Sequence, residues 1–212
     1  MEWADRPSQE IYEKCMNFIE PDTDGQQHYL PNNLPPYDKP LRFIDCGAYT
    51  GDTIKLLSQI EKQVEYVISF EPHPVFVKEL KKTAATMPFP VTIYNKGVYD
   101  ENIKKVPFDP NQYDASRIVD KSDTYIECVK LDDIILDLKP NFIKMDIEGA
   151  EYKALIGAKK TIKIHKPRLA ICLYHYLNDI IDMPLLIDSW DLGYKFYLRY
   201  PNKGGLRLYA TQ

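Results

Sequence analysis

No run of about 18 consecutive apolar residues occurs in this chain of 212, so no membrane span is expected. A basic excess is missing as well. There are 27 Lys and Arg against 31 Asp and Glu, and the net charge of -4 speaks against nucleic acid as a partner. The opening residues, Met1-Glu2-Trp3-Ala4-Asp5, lack the apolar centre of a signal peptide, which leaves a cytoplasmic location as the expectation. The four cysteines stand at 15, 46, 128 and 172, too far apart for the short spacing of a zinc site. Three of them lie within apolar, strand-like runs and read as small buried hydrophobes. Internal repeats and low-complexity tracts are absent too. What the chain does have is 44% hydrophobic and 27% charged residues, a balance that builds a core and does not suit disorder. Its length suits a single central sheet covered on both faces. The 16 tyrosines against 8 phenylalanines fit a polar aromatic pocket and partly exposed strands equally well.

Residues 1–40 read as an N-terminal helical arm and linker, and 41–212 as the main domain. Within the arm, the spacing predicts an amphipathic helix over 8–19, capped by Ser8, with Ile11, Cys15, Phe18 and Ile19 on one face. The Pro-, Asn- and Asp-rich stretch 21–40 then reads as irregular. From Leu41 the pattern is regular. Apolar strands are expected at 41–46, 66–70 and 91–94. The helices between them bury Ile54, Leu56, Leu57 and Ile60, then Phe76, Leu80 and Ala84. Residues 100–130 break the rhythm with short strands at 105–108, 116–119 and 125–129, separated by polar turns at Asp114 and Asp120. Alternation resumes with a strand at 142–146, a helix burying Leu155, Ala158 and Ile162, a strand at 168–173, and a helix at 184–191 stopped by Gly193. Strands at 194–200 and 206–210, joined by a turn at 201–205, close the chain as a hairpin. Such strand–helix alternation specifies a parallel sheet with right-handed crossovers.

The stretch Asp45-Cys46-Gly47-Ala48-Tyr49-Thr50-Gly51-Asp52 joins the first strand to its helix, at the strand end where open α/β sheets bind ligands. Gly47 lets a ligand approach the backbone, and Gly51 allows tight entry into the helix. A dinucleotide fingerprint needs a third glycine and a helix start free to hold pyrophosphate. Here Asp52 occupies that start and would repel phosphate. The acidic loop suits S-adenosylmethionine (SAM), which carries a sulfonium and an ammonium group; the alternative for Asp52 is plain stabilisation of the helix dipole. Glu71, 20 residues beyond Gly51 and followed by Pro72, can accept hydrogen bonds from both hydroxyls of a ribose. Asn95 and Gly97 end the third strand where the adenine would lie. The candidate SAM-binding residues are Asp45, Gly47, Ala48, Tyr49, Gly51, Asp52, Thr53, Glu71, Pro72, Asn95, Gly97 and Asp146.

Lys144-Met145-Asp146-Ile147-Glu148-Gly149-Ala150-Glu151 is the most distinctive stretch. Asp146 and Glu148 are two apart at a strand end, so both point to one side if the chain stays extended. Three carboxylates on one sheet edge repel each other, which favours a site over a purely structural role. For Glu151 the helix dipole is nearly as good an explanation. His175 follows the next strand, where topology sets it beside Asp146, and a near-neutral imidazole there suits a general base. A structural role in a Tyr-rich turn is the competing reading. Asp146, Glu148 and His175 form the candidate catalytic set. No metal site is assigned, although a version in which Asp146 and Glu148 hold a divalent cation stays open.

Taken together, Phe43-Ile44-Asp45-Cys46-Gly47-Ala48-Tyr49-Thr50-Gly51-Asp52-Thr53, Phe70-Glu71-Pro72, Leu131-Asp132-Asp133 and Ile143-Lys144-Met145-Asp146-Ile147-Glu148-Gly149-Ala150-Glu151 resemble the FkbM family of methyltransferases over roughly 41–210. The resemblance implies an α/β, Rossmann-like class I methyltransferase fold, with a mostly parallel seven-stranded sheet ending in an antiparallel hairpin and helices on both faces. It implies a SAM-dependent enzyme that methylates a hydroxyl oxygen on a sugar or small metabolite, so the expected partner is a small-molecule or saccharide acceptor. By position, Asp45, Gly47, Gly51 and Glu71 would hold SAM, and Asp146, Glu148 and His175 would face the acceptor. Tyr49 stands where many methyltransferases have glycine. Rival readings are a SAM-binding protein of this fold without catalysis, an NAD-dependent oxidoreductase and a nucleic-acid base methyltransferase. The missing third glycine and the closing hairpin oppose the oxidoreductase. The last rival lacks its Asn/Asp-Pro-Pro-aromatic turn, since Asp146-Ile147-Glu148-Gly149 stands there. Oligomeric state is left open.

Overall fold

Parallel strands buried on both faces read as continuous apolar runs whose alternate residues serve opposite layers. The computed structural model, which describes residues 2–25, 29–61, 63–111, 116–201 and 205–212, follows this rule. In β1 (Leu41–Cys46), Leu41 and Phe43 pack into one apolar layer while Ile44 and Cys46 pack into the other. In β8 (Phe142–Met145), Phe142 joins the first layer, and Ile143 and Met145 join the second. The first layer is closed by α2 (Asp52–Ile60) and α3 (Pro74–Ala84) through Ile54, Leu57 and Leu80. The second is closed by α5 (Glu151–Gly157), α6 (Lys159–His165) and α7 (Asp179–Asp188).

Seven strands form the main sheet. With β2 (Val64–Phe70), β3 (Val91–Tyr94), β9 (Arg168–Cys172), β10 (Lys195–Arg199) and β11 (Arg207–Thr211), the order is β10-β11-β9-β8-β1-β2-β3. β1 pairs in parallel with β2 and β8, β2 with β3, and β8 with β9. β11 is inserted antiparallel to both β9 and β10, as the expected closing hairpin requires. The interruption of the rhythm is a second sheet of β4 (Gly97–Val98), β5 (Ile103–Asp109), β6 (Arg117–Ile118) and β7 (Tyr125–Val129), in the order β4-β7-β5-β6. A short α4 (Asp132–Ile135) leads back to β8. The turns expected at Asp114 and across 202–204 lie outside the described residues. Among the described residues, no helix is long and apolar enough to cross a membrane.

Several helix limits differ from the sequence expectation, each for a local reason. α1 spans Arg6–Met16 and is capped by Asp5, which accepts from the Ser8 amide at 3.0 Å. Ser8 is therefore not the cap. It is buried, and its hydroxyl accepts from the Leu198 amide at 2.9 Å. Phe18 and Ile19 fall beyond the helix and are exposed, and Ile60 is exposed at the end of α2. The single helix expected around Leu155 to Ile162 is two, parted at Ala158. α7 begins at Asp179, whose carboxylate accepts from the Tyr176 amide, and it carries Pro184 inside it instead of starting there. Cys46, Cys128 and Cys172 are buried and Cys15 half-buried, and all four are free thiols.

The described part of the arm is packed onto the sheet. Trp3 bridges to Phe196 in β10, and Tyr29 and Leu30 enter the layer under α2 and α3. Arg199 holds this packing together: 2% exposed, it donates to Asp5 Oδ2 at 2.7 Å and to Asn33 Oδ1 at 3.1 Å. Breaking a buried pair leaves the partner's charge uncompensated. Arg199→Met is expected to lower the unfolding free energy by about 3 kcal/mol, near the lower end for such pairs because Asp5 is partly solvated. The urea midpoint reads this directly, and an unchanged midpoint would mean the arm is not tied down through Arg199.

Candidate cofactor and catalytic site

The strand alternation that sorts apolar residues also sorts the polar ones at the carboxyl ends. Asp45 and Lys144 are register partners on β1 and β8, on the face served by Phe43 and Phe142. Lys144 Nζ stands 3.1 Å from Asp45 Oδ1 and donates to the Gly47 carbonyl at 2.6 Å. Both side chains are buried. Burial lowers the Lys144 pKa, but the carboxylates of Asp45, Asp146 and Asp52 outweigh it and hold the ammonium above its ordinary value. Asp45 is pushed up to about 6 by burial, with Lys144 opposing. Two residues on along the same alternation lie Glu71 after β2 and Asp146 after β8. They open into a cavity of about 470 Å³.

The loop after β1 is shaped by close approach. Gly47 has φ +78°, and a Cβ there would stand 1.8 Å from the Asp146 carbonyl oxygen. Tyr49 adopts φ +47°, uncommon for a non-glycine residue. Its amide donates to Glu71 Oε2 at 2.8 Å, which holds the conformation. Gly51 has φ +89° as α2 begins, and a Cβ there would stand 2.7 Å from Thr83 Cγ2. Glu71 is 6% exposed and also accepts from the His73 amide at 2.8 Å. Burial raises its pKa to about 7 against the pull of the His73 and Tyr49 amides and of Lys144.

On the opposite wall, Glu148 at φ +56° and Gly149 at φ +95° turn the chain sharply. The extended conformation expected to aim Asp146 and Glu148 together does not persist. They converge instead on His175, whose Nε2 lies 3.7 Å from Asp146 Oδ1 and 3.4 Å from Glu148 Oε2. Its Nδ1 lies 3.1 Å from Glu151 Oε1. Glu151 is fully buried and accepts from the amides of Ile147 and Gly149. The repulsion of three carboxylates is thus relieved by one imidazole among them. Burial lowers the His175 pKa, but Glu148 and Glu151 overcome it and raise it to about 10. The expected near-neutral base is therefore an imidazolium at neutral pH. Asp146 goes the other way. Burial would raise it, yet Lys144 and the hydroxyls of Tyr174 and Tyr29, one donated to each oxygen, bring it down to about 2.

Of the residues singled out in the sequence, Gly47, Tyr49, Asp52, Glu71, Pro72, Gly97, Asp146 and Glu148 line the cavity. Asp45, Ala48, Gly51 and Thr53 are buried and do not line it. Asn95 supports the wall from behind by donating to the carbonyls of Glu71 and Pro72. His175 stands behind Asp146 and Glu148. Lys144, Tyr29 and Tyr174 were not singled out. A lysine inside an apolar strand run was a readable signal for the first. Tyr29 lies in an irregular segment with no pattern to mark it. The second sheet adds Phe108, Arg117, Ile118 and Ile126 to the wall.

A family model described as the methyltransferase FkbM domain matches residues 45–196, well over half of the chain. Among solved structures, the chain is similar to methyltransferase FkbM from Methylobacillus flagellatus KT. The TM-score is 0.78 and the identity 28%, covering 98% of this chain and 56% of that one. The chain thus spans little more than half the length of that relative. It also shares its fold with Aeropyrum pernix fibrillarin, solved with natively bound S-adenosyl-L-methionine, at TM-score 0.53 and 10% identity, covering 84% of this chain and 70% of that one. No match was found among curated proteins.

The contact of Gly47 with the Asp146 carbonyl joins the two halves of the cavity. Gly47→Ala requires both a left-handed alanine and a parting of β1 from the loop after β8. A loss of about 2 kcal/mol or more in unfolding free energy is expected. A thermal melt within a degree of the unsubstituted protein would contradict this geometry.

Proposed function

The chain belongs to the FkbM methyltransferase family, and from that premise we propose that it transfers a methyl group from SAM to a hydroxyl oxygen of a sugar or small metabolite. The observation that carries the proposal is the acidic side of the cavity: Asp52, Glu71, Asp146 and Glu148 line it, while of the lining cations Lys144 is committed to Asp45 and Gly47, Lys96 is paired with Glu127, and the exposed Arg117 stands on the second sheet. Such a wall favours a cationic sulfonium nucleoside over a pyrophosphate. The residues fit that ligand. Gly47 leaves its backbone bare where any Cβ would collide, and Glu71 is fixed by two amides with lone pairs to spare for ribose hydroxyls. About 470 Å³ lies within the range of small-ligand pockets.

When bound, SAM supplies a methyl group on a positively charged sulfur that leaves as a neutral thioether. The protein's part is to align the acceptor and exclude water. Asp146 is held ionised by Lys144 and by two phenols, so a carboxylate oxygen is always ready to accept the hydroxyl proton. Its low basicity is no obstacle, because an alcohol oxygen becomes strongly acidic as its new bond to carbon forms. Glu148 orients the hydroxyl. His175 keeps Glu148 and Asp146 in place with its positive charge and does not act as the base.

Glu71 gives this reading a pH signature. Ribose hydroxyls donate to the carboxylate, so the ionised form binds, and with a pKa near 7 its fraction rises as pH rises. SAM affinity measured by calorimetry is expected to strengthen by up to about tenfold from pH 6 to pH 8. Glu71→Gln should bind more weakly and without that trend. Binding of NAD in preference to SAM, or a flat profile in the unsubstituted protein, would overturn the assignment. For catalysis, Asp146→Asn should lower turnover about 100-fold to 10,000-fold on any hydroxylated acceptor found by a labelled-methyl screen. An undiminished rate would remove Asp146 from the chemistry.

A further inference from the structure

Asp146, Glu148 and His175 present three ligand atoms within 4.8 Å of one another, on the rim formed by the ends of β8 and β9. Such a cluster of acids means little alone. The second observation is His175 itself. Its side chain is 8% exposed, and neither ring nitrogen meets the carboxylates around it in hydrogen-bonding geometry. Its Nε2 is aimed between the two carboxylates, while Nδ1 faces the fully buried Glu151 carboxylate. Glu151 is in turn fixed by the Ile147 and Gly149 amides at 2.7 and 3.0 Å. A carboxylate behind one ring nitrogen, with the other turned toward a cluster of oxygen ligands, is the outer support that orients a metal-binding imidazole.

We propose that Asp146 Oδ1, Glu148 Oε2 and His175 Nε2 bind one divalent cation of the Mg²⁺/Mn²⁺ class, with Glu151 as the carboxylate that orients His175. Ligand atoms around such an ion at about 2.1 Å stand roughly 3 to 4.4 Å apart. The two edges from Nε2, at 3.4 and 3.7 Å, already fall there, and the Asp146–Glu148 edge is no longer than 4.8 Å. Two oxygens and one imidazole suit a hard to borderline ion that keeps open positions for water or substrate. The cation takes the place of the proton on Nε2 and relieves the same three carboxylates.

What the cation does rests on the methyl-transfer reading, whereas its binding does not. Bound next to the cavity, it lowers the pKa of an acceptor hydroxyl that joins its coordination shell. The O–H bond breaks as the acceptor oxygen displaces the methyl carbon from the sulfonium, the carbon–sulfur bond breaks to release a neutral thioether, and the proton passes to Asp146 Oδ2, the oxygen the cation leaves unbound.

The test titrates Mn²⁺ alone into the chelator-stripped full chain, without SAM or acceptor, by calorimetry and electron paramagnetic resonance. One Mn²⁺ per chain is expected. Glu148→Gln and His175→Gln should each weaken it by at least about 100-fold, and Glu151→Gln by about 10-fold to 100-fold. Circular dichroism melts establish that the variants are folded. If His175→Gln does not fold, Glu148→Gln decides alone, since its side chain sits on a partly exposed turn. No Mn²⁺ binding up to millimolar concentration overturns the site, as does binding that Glu148→Gln leaves intact. If Mn²⁺ binds as expected but methyl transfer survives chelation, the site stands and the proposed role is overturned. If SAM fails to bind while Mn²⁺ does, only the methyltransferase reading falls.

Discussion

A lysine with 2% exposure stands at the centre of the sheet, and its charge organises the cavity. Taking Lys144 and Asp45 out of water costs several kcal/mol per ion, and their mutual attraction offsets this only with good geometry and added hydrogen bonds. Lys144 finds one such bond, to the Gly47 carbonyl, and a second carboxylate within its field at Asp146. Pairs of this kind are weak as sources of stability, since well-packed apolar residues of similar volume do as well. What they give is position. The ammonium ties the loop after β1 to β8, and Gly47 lies so close to the Asp146 carbonyl that the loops after the two strands form one wall.

The rim beside this pair follows the same principle with the signs reversed. Three carboxylates meet one imidazole. Asp146 is ionised because Lys144 and two phenols stabilise its anion, and His175 is cationic because Glu148 and Glu151 surround it. A carboxylate anion and an imidazolium thus lie 3.7 Å apart. The left-handed backbone at Glu148 makes the arrangement possible. The carboxylate that this uncommon conformation carries lies 3.4 Å from His175 Nε2.

Much of this was legible in the residues, and the limits of legibility are physical. The central strands were readable because parallel strands buried on both faces give apolar runs, as in β1, while β3 and β7 keep the expected limits although each has exposed or half-exposed positions. Helix limits were less so, because capping depends on one side chain: Asp5 and Ser8 are both good caps, and only the demand of Leu198 and Arg199 for the Ser8 hydroxyl decides between them. Asp146, Glu148 and His175 could be brought to one rim by topology alone. Their protonation states could not, because those depend on distances of 3 to 4 Å between side chains from separate elements. The pairing of Asp45 with Lys144 was open to inference from strand parity, since each stands two residues beyond an apolar neighbour on the same face.

Tyr29 had no such signal, and it changes how the arm is understood. A segment that looked like a connection delivers a phenol to Asp146 Oδ2, with Lys144 at 4.9 Å and Arg207 at 4.8 Å from its ring centroid. Both cations are attracted to the π-system of a ring whose hydroxyl donates to a carboxylate. Because Arg199 fastens the same arm to β10, the hold on Asp146 begins with a charge pair at Asp5, more than a hundred residues away in sequence. The cavity wall is therefore completed by parts of the chain on both sides of the sheet pattern. Its chemistry depends on an arm whose own sequence carries no mark of a site.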